Sequence, residues 1–430
     1  MTNAGRMVRA LEKADYWVAS LLFVLGTAAY ASLVARLAQG RYYEYYNLAF
    51  DFDAARVLSL MTASPPDAFG FKHPLMLMLR PLGQAMLALG FHAKTAAGLI
   101  MAGTGGATLA LVFLFLRNIS IDRPTALALS LLFAVTGTQV MTSMVTETYG
   151  FAGLSLVAVW LVAAMRLRSP GQFGILRYVP GIAATGVTVT NVLQPFLAEL
   201  LVNWRNRGWR SVVPTTFRFG CIFALVFFAL VMTLWHSEII GALRDPVTNL
   251  KAIWWMQTKG PTTGVWKVIQ TFLGFSFVSP VYTVVALPET TNMIDFREWS
   301  FAGRGGVVAA AWIVFLIAGT VGGLADASFR PMALAILAAL VFNIIFHLGF
   351  QLRGSVYIYS AHVHFLGFAL ATGLAPWMAG NRWLRNGYIC AVIALGASVA
   401  LVNVPIAIGF TGLFDLPDTF CQAPCADGTP

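Results

Sequence analysis

Charged residues are scarce in this chain: they make up 11% of its 430 residues, while 58% are hydrophobic. A water-soluble domain contains about 25% charged and roughly 45–50% apolar residues. The shortage of charge excludes a soluble enzyme with an ordinary polar surface. It also excludes intrinsic disorder and coiled coils, because both need polar sequence. The composition instead predicts an all-α polytopic membrane protein with a single transmembrane domain over residues 1–430.

Long apolar runs account for most of the chain. Because a membrane helix needs about 20 predominantly apolar residues, the sequence predicts about eleven transmembrane helices. The runs 178–189 and 190–204 are short, and we expect them to form one hairpin with a polar apex near Thr188, Thr190 and Asn191. The predicted spans cover residues 16–38, 95–116, 124–143, 149–165, 178–189, 190–204, 219–235, 306–325, 331–350, 361–379 and 388–409.

The basic residues indicate the orientation of these spans. With the N-terminus inside, 15 of the 28 Lys and Arg residues and five of the 18 acids fall on the inner side, so the whole net charge of +10 lies there. This asymmetry is the positive-inside pattern of membrane proteins. It predicts a multi-pass protein of the inner (cytoplasmic) membrane with a cytoplasmic N-terminus and an outside C-terminus. It also explains the net charge without a nucleic-acid partner.

Two long segments, 39–94 and 236–305, are then expected on the outer side, followed by an outer tail at 410–430. Their apolar stretches 74–92 and 268–288 would reverse every later loop if they crossed the membrane. We therefore expect helices that lie at the outer membrane surface. Function usually resides in such long ordered loops, which places the candidate site on the outer, periplasmic face.

Two cysteines, Cys421 and Cys425, fall in the outer tail. A disulfide is favoured in an oxidising compartment. A C-x3-C metal site is the weaker alternative, because no histidine lies nearby.

The first outer loop carries Asp51, Asp53 and Arg56 where the chain has just left the membrane. An acid at this boundary can act as a general base if its surroundings raise its proton affinity. The alternative is a solvated acid paired with Arg56.

Farther along the same loop, Pro74 could be the first residue of a helix, with Lys72 and His73 just before its N-terminus. A cation and an imidazole there suit an anionic ligand such as a phosphate. The alternative, headgroup anchoring by Lys72 with an incidental histidine, is favoured for this segment taken alone.

Glu147 and Tyr149 stand at the next outer boundary. Glu147 is the only acid between Asp122 and Glu199. It is either part of a site or a helix-start acid favoured by the helix dipole.

The late outer loop crowds Arg353, Tyr357, His362 and His364 into a short segment. A guanidinium matches phosphate geometry, so Arg353 and Tyr357 are candidate phosphate-binding residues. Residues two apart do not share a helix face, which argues against a two-histidine metal site on one helix. We place both histidines among the remaining cavity residues, with Arg56, Glu147, Tyr149 and Asn191.

The order of these pieces resembles the GT-C superfamily of lipid-sugar-dependent glycosyltransferases, which includes protein O-mannosyltransferases and aminoarabinose transferases. The motifs that carry the resemblance are Asp53-x-x-Arg56, Lys72-His73-Pro74-Leu75, Glu147 in its Thr-Glu-x-Tyr context, and the hairpin apex Thr188–Gln194. The chain departs from the superfamily in two ways: no DxD-type pair occupies the second outer loop, and no large C-terminal domain follows the last span.

The resemblance implies a catalytic aspartate in the first loop, Asp53 or secondarily Asp51, and a polyprenyl-phosphate sugar donor. The acceptor would be a lipid, a glycan or a protein of the cell envelope. Cofactor use stays open between none and a divalent cation. We expect Asp53, His73, Glu147 and Arg353 to line one outer cavity, open to lipid beside 74–92 or 268–288. The alternatives are a surface-glycan polymerase or ligase, a transporter of a lipid-linked or anionic substrate, and a non-catalytic assembly subunit.

Overall fold

The structure is a computed structural model. It describes residues 11–44, 49–63, 73–169, 173–245, 247, 264–286, 292–300, 302–349 and 355–413. The predicted site residues Lys72 and Arg353, and the cysteines Cys421 and Cys425, lie outside these ranges. Within them the chain is mostly helical, with one two-stranded antiparallel sheet.

Ten α-helices and several short 3₁₀ helices make up the first part of the fold. The α-helices are α1 (Lys13–Gln39), α2 (Ala54–Thr62), α3 (Arg80–Ala88), α4 (Ala93–Asn118), α5 (Arg123–Ala134), α6 (Gly137–Met144), α7 (Thr148–Arg168), α8 (Val179–Val187), α9 (Leu193–Arg207) and α10 (Trp209–Arg244). The 3₁₀ helices are Tyr42–Glu44, Pro74–Leu79, Gly174–Tyr178 and Val189–Val192.

The second part contains the sheet and the last helices. These elements are α11 (Val265–Gln270), a π-helical turn (Thr271–Phe275), β1 (Tyr282–Ala286), β2 (Asn292–Phe296), α12 (Arg304–Ala325), α13 (Arg330–Gly349), a 3₁₀ helix (Val356–His362), α14 (His364–Ala371), a 3₁₀ turn (Thr372–Leu374), α15 (Ala375–Met378) and α16 (Arg382–Gly412).

Seven helices in the described ranges are long and apolar enough to cross a membrane: α1, α4, α7, α10 up to Ser237, α12, α13 and α16. Two bent helix pairs are long and apolar enough only when taken together: α5 and α6 meet at 63°, and Val356–His362 meets His364–Met378 at 56°. With both bent pairs the number rises to nine. The other two of the eleven predicted spans correspond to α8 and α9. With 9 and 15 residues, each is too short to cross a membrane by itself.

The α8–α9 pair forms the hairpin, and it breaks where the sequence predicted its apex. Thr188 has an extended backbone, with φ −150° and ψ 116°. The run Val187–Thr190 is β-branched throughout, and such residues lose side-chain freedom in a helix. The nine residues of α8 give a length of about 13 Å, which is less than half of a bilayer core.

The two apolar segments predicted at the outer surface differ in how deeply their side chains are buried. Residues 74–92 form a 3₁₀ helix and α3, and Leu82 and Leu89 on this segment are exposed. The prediction for 268–288 was wrong, because a surface helix would expose one face, whereas Val268, Phe272 and Phe277 are fully buried. The helix there ends in a π turn, and Phe277 stacks on the Trp312 ring at 3.9 Å. An apolar segment has the same composition whether lipid or protein covers it, so hydropathy could not separate the two cases.

The charged side chains collect at opposite ends of the bundle. At one end, Asp15 accepts hydrogen bonds from Arg117 at 2.8 Å and Arg123 at 2.9 Å. Glu199 binds Arg166 nearby, with Arg177 at 3.5 Å. The candidate acids lie at the other end. The 21 residues of α7 separate the two ends by about 31 Å, the thickness of a bilayer core.

Candidate functional site

The candidate site begins at a tight turn in the first loop. Phe50 donates its N–H to the carbonyl of Ile294 at 2.8 Å, and Phe52 donates to Ala49 at 2.9 Å. These bonds hold Phe50 and Asp51 at φ 52° and 63°, a left-handed region that non-glycine residues seldom adopt. Such strained conformations persist only where the surroundings fix them, and they concentrate at functional sites.

The two-stranded sheet connects this turn with the rest of the site. β2 pairs with β1, and Ile294 also bridges to Ala49. The Phe50 ring packs against Phe296 at 4.6 Å and Tyr357 at 4.8 Å. The first loop, the 236–305 loop and the late loop therefore meet at one end of the bundle.

Asp53 and Glu147 are in direct contact, although 94 residues separate them. The backbone N–H of Asp53 donates to Glu147 Oε2 at 2.5 Å. Glu147 Oε1 accepts from the backbone N–H and the hydroxyl of Thr148, at 2.7 and 3.0 Å. Glu147 thus caps α7, as its helix-start interpretation predicted, and it also fixes the position of Asp53. Its role in a functional site stays a prediction.

The electrostatics of the two acids differ. Glu147 is 3% exposed, and burial raises its pKa well above the ordinary glutamate range, with the nearby charge of Asp53 adding to the rise. The Asp53 side chain is 16% exposed and pairs with Arg56 at 3.5 Å. When two neighbouring acids lie in different environments, one commonly acts as a base and the other stays a neutral partner.

The phenol of Tyr42 was not predicted as part of this site. It is buried, and burial followed by the charges of Glu147 and Asp53 raises its pKa. Nothing in the sequence around Tyr42 distinguished it from the neighbouring Tyr43, Tyr45 and Tyr46.

His73 and Pro74 follow the predicted pattern. Pro74 opens the 3₁₀ helix, and His73 precedes it. His73 Nδ1 lies 2.6 Å from the carbonyl oxygen of Val187 at the hairpin apex. Since a carbonyl only accepts, Nδ1 carries the proton.

Tyr149 connects the acids with the late loop. Its hydroxyl interacts electrostatically with Asp51, Asp53 and Glu147. Its ring centroid lies 5.2 Å from that of His362 and 6.0 Å from that of Tyr359.

The remaining predicted residues divide between the site and the bundle interior. Asn191 is buried at the hairpin apex and donates to the Ala184 carbonyl at 3.2 Å. His364 packs between helices in the bundle interior. Its Nε2 lies 2.9 Å from Thr136 Oγ1, and its ring stacks on Phe133 at 4.6 Å. His364 follows His362 by two residues in the bent span, and its side chain is therefore directed into the contacts between helices.

The late loop also brings in a residue that sequence reasoning missed. Ser355 donates to Asp295 Oδ1 at 3.0 Å, and burial raises the pKa of Asp295. The alternating Met293–Phe296 pattern of the strand was the available signal, but it lay in the long outer segment 236–305, for which no strand was predicted.

Metal-ligating side chains do not gather in the described ranges: no group of three or more His, Cys, Asp or Glu residues is placed to hold an ion. The Glu147 oxygens already accept three hydrogen bonds, and Asp53 is paired with Arg56. These acids do not fit a protein-held divalent cation.

No protein-family model matches the sequence, and no curated protein matches it. The arguments for function therefore rest on the site.

Proposed function

We propose that the protein is a GT-C-type membrane glycosyltransferase that moves a sugar from a polyprenyl-phosphate donor to an acceptor hydroxyl. The observation that carries the proposal is the contact between Asp53 and Glu147. Two acids from separate loops meet at one end of a bundle whose helices have membrane-spanning length. This is where a hydrophilic acceptor and a lipid-bound donor can both arrive.

Asp53 acts as the general base in this proposal. Its carboxylate takes the proton of the acceptor hydroxyl, whose oxygen forms a bond to the anomeric carbon. The bond between that carbon and the phosphate oxygen breaks, and the polyprenyl phosphate leaves with the electron pair. Attack from the face opposite the phosphate inverts the anomeric centre. Since phosphate is a good leaving group, the second carboxylic acid that glycoside hydrolysis needs is optional.

Glu147 and Arg56 position the base. Glu147 holds the backbone of Asp53, and Arg56 lies against its carboxylate. Asp51 is the second candidate for the base. Lys72, His73, Arg353 and Tyr357 are proposed to bind the donor phosphate.

The finer topology belongs to the same proposal. The N-terminus lies in the cytoplasm, α8 and α9 form a hairpin that enters the membrane and returns, and the site faces the periplasm. The chain is a cell-envelope enzyme of the inner membrane, with a lipid, glycan or protein acceptor.

A transporter of a lipid-linked or anionic substrate is the second candidate. The observation in its favour is the pair of spans bent by 63° and 56°, because broken helices are common at transporter binding sites.

The test uses membranes that contain the protein, incubated with radiolabelled prenyl-phosphate mannose, glucose and arabinose. Label is then counted in the lipid, glycan and protein fractions. Asp53→Asn should lower incorporation about 10²–10⁴-fold, the usual contribution of a general base. It should leave the amount of folded protein unchanged, since asparagine keeps the shape of the side chain.

Asp51→Asn is the matched control, because asparagine also tolerates positive φ. If Asp51→Asn abolishes incorporation and Asp53→Asn preserves it, the base is Asp51. If no label exceeds that of membranes without the protein, or both variants keep the wild-type rate, the glycosyltransferase proposal is wrong.

A further inference from the structure

His362 is a buried imidazole that has no hydrogen-bond partner in the described part of the chain. It is 2% exposed, and neither Nδ1 nor Nε2 has a hydrogen-bond partner among the described residues. Burying a polar group without a partner is costly, because the group loses its hydrogen bonds to water. A histidine that retains two such atoms in the interior is therefore suited to a ligand that supplies the missing bonds.

The hairpin apex contributes further polar atoms of the same kind. Asn191 Oδ1 and Thr188 Oγ1 are buried and have no hydrogen-bond partner in the described part of the chain. Gln194, at the start of α9, donates to the backbone carbonyl of His362 at 2.8 Å and so fastens the hairpin to the late loop. His362 also interacts electrostatically with His73, which binds Val187, the residue before Thr188.

Three aromatic rings lie close to His362. Their centroids lie at 5.2 Å for Tyr149, 6.1 Å for His347 and 6.3 Å for Tyr359. Tyr149 is also close enough to Asp53 and Glu147 to interact electrostatically with them.

We propose that His362, Asn191 and Thr188, bounded by the Tyr149 and Tyr359 rings, form the subsite for the sugar of the donor, and that His362 determines sugar specificity. This inference rests on the proposed function. A neutral imidazole, an amide oxygen and a hydroxyl supply both donors and acceptors, as sugar hydroxyls require. The ring faces suit the C–H face of a pyranose. A phosphate would instead call for a cation, and among the described residues of this group none is a lysine or an arginine.

The test measures binding rather than turnover. Purified protein in nanodiscs is titrated with bare prenyl phosphate and with prenyl phosphates that carry mannose, glucose, N-acetylglucosamine or arabinose. Wild-type protein should bind at least one glycosylated lipid ten times more tightly than the bare lipid, since two or more buried hydrogen bonds are gained. His362→Phe should remove that preference and leave bare-lipid affinity unchanged, while His362→Asn should restore part of it.

His364→Phe is the control, because this histidine is also buried but is bonded to Thr136. It should keep the preference, and bare-lipid binding reports that each variant is folded. The subsite is overturned if wild-type protein prefers none of the four sugars, or if His362→Phe keeps the preference. If His362→Phe weakens the binding of bare and glycosylated lipid equally, His362 contacts the phosphate, and the sugar subsite is also overturned. Asp53-dependent transfer without sugar preference would reject the subsite alone, whereas sugar preference without any transfer would reject the proposed reaction.

Discussion

The buried carboxyl group of Glu147 lies within hydrogen-bonding distance of two backbone N–H groups and one hydroxyl. These donors favour the ionised form, but burial and the charge of Asp53 outweigh them, so the pKa is raised. The native state therefore binds this proton more tightly than the unfolded chain does. The resulting stability is complete below the unfolded glutamate pKa of about 4.3, and it is lost as pH rises toward the native pKa.

Glu147→Gln should remove this dependence, because glutamine is neutral at every pH and keeps an acceptor for the Asp53 N–H. The midpoint of thermal unfolding in detergent is measured from about pH 5 to about pH 9. The wild-type midpoint should fall with pH relative to that of the variant. Exposed Glu298 provides the control through Glu298→Gln, whose curve should run parallel to wild type. Parallel curves for Glu147→Gln, or a wild-type midpoint that rises relative to it, would contradict the raised pKa.

Part of this site followed from the sequence. Topology alone placed Asp53 and Glu147 at the same membrane boundary, because each follows or precedes a predicted span. The bond from the Asp53 backbone to the Glu147 carboxylate was not predictable, since it depends on the strained turn at Phe50 and Asp51. That turn is fixed by Ile294, some 240 residues away in sequence.

Among the helices and strands, the break between α5 and α6 is held by side-chain hydrogen bonds from α16. Asn403 of α16 donates to the carbonyls of Val135, at the α5–α6 break, and Phe277, at 2.8 and 2.7 Å. Its Oδ1 accepts from the Ser279 N–H at 2.8 Å. Irregular backbone at membrane depth is tolerated only where such partners satisfy it.

Asn403→Ala should therefore destabilise the fold strongly. It removes a partner from three backbone groups, and a buried group left unsatisfied costs about 1–3 kcal/mol. We expect a loss of more than about 2 kcal/mol in the free energy of unfolding, measured by denaturant titration in mixed micelles. Asn343→Ala is the matched control, because buried Asn343 donates to Ala339 of its own helix and makes no other side-chain hydrogen bond to the described residues. Equal losses for the two variants would show that Asn403 does not hold the break.

Hydropathy predicted where these spans lie but not that they bend. The runs 124–143 and 361–379 read as single spans, because a hydropathy pattern counts apolar residues and carries no record of distant hydrogen bonds. Asn403 lies in the mostly apolar helix α16, and its partners are more than 120 residues away. The same limitation led to the wrong prediction for 268–288.

For the molecule as a whole, the separation of charge is the feature that connects sequence, fold and proposed function. The buried pair of Asp15 and Arg117 and the contact of Glu199 with Arg166 lie at the end that the positive-inside rule assigns to the cytoplasm. Asp53 and Glu147 lie at the opposite end. The sequence predicted this division from loop charges, whereas the pairing within each end came only from the fold.

The orientation can be tested by cysteine labelling. Glu298→Cys, beside the sheet at the acidic end, and Arg207→Cys, at the end of α9, are both exposed positions. They are introduced singly after Cys221, Cys390, Cys421 and Cys425 have been replaced by serine. A membrane-impermeant maleimide should label position 298 in intact bacterial cells with a removed or permeable outer barrier, and position 207 only after the inner membrane is permeabilised.

The physical reason for that expectation is the cost of moving arginine-rich loops across the membrane during insertion, which keeps them in the cytoplasm. The reverse labelling pattern would place Asp53 and Glu147 in the cytoplasm, where a periplasmic acceptor could not reach them. Labelling of both positions from one side would show that the acidic and arginine-rich ends do not lie across the membrane from each other. With labelling at 298 alone in intact cells, a donor whose lipid tail lies in the outer leaflet and a hydrophilic acceptor can meet at Asp53.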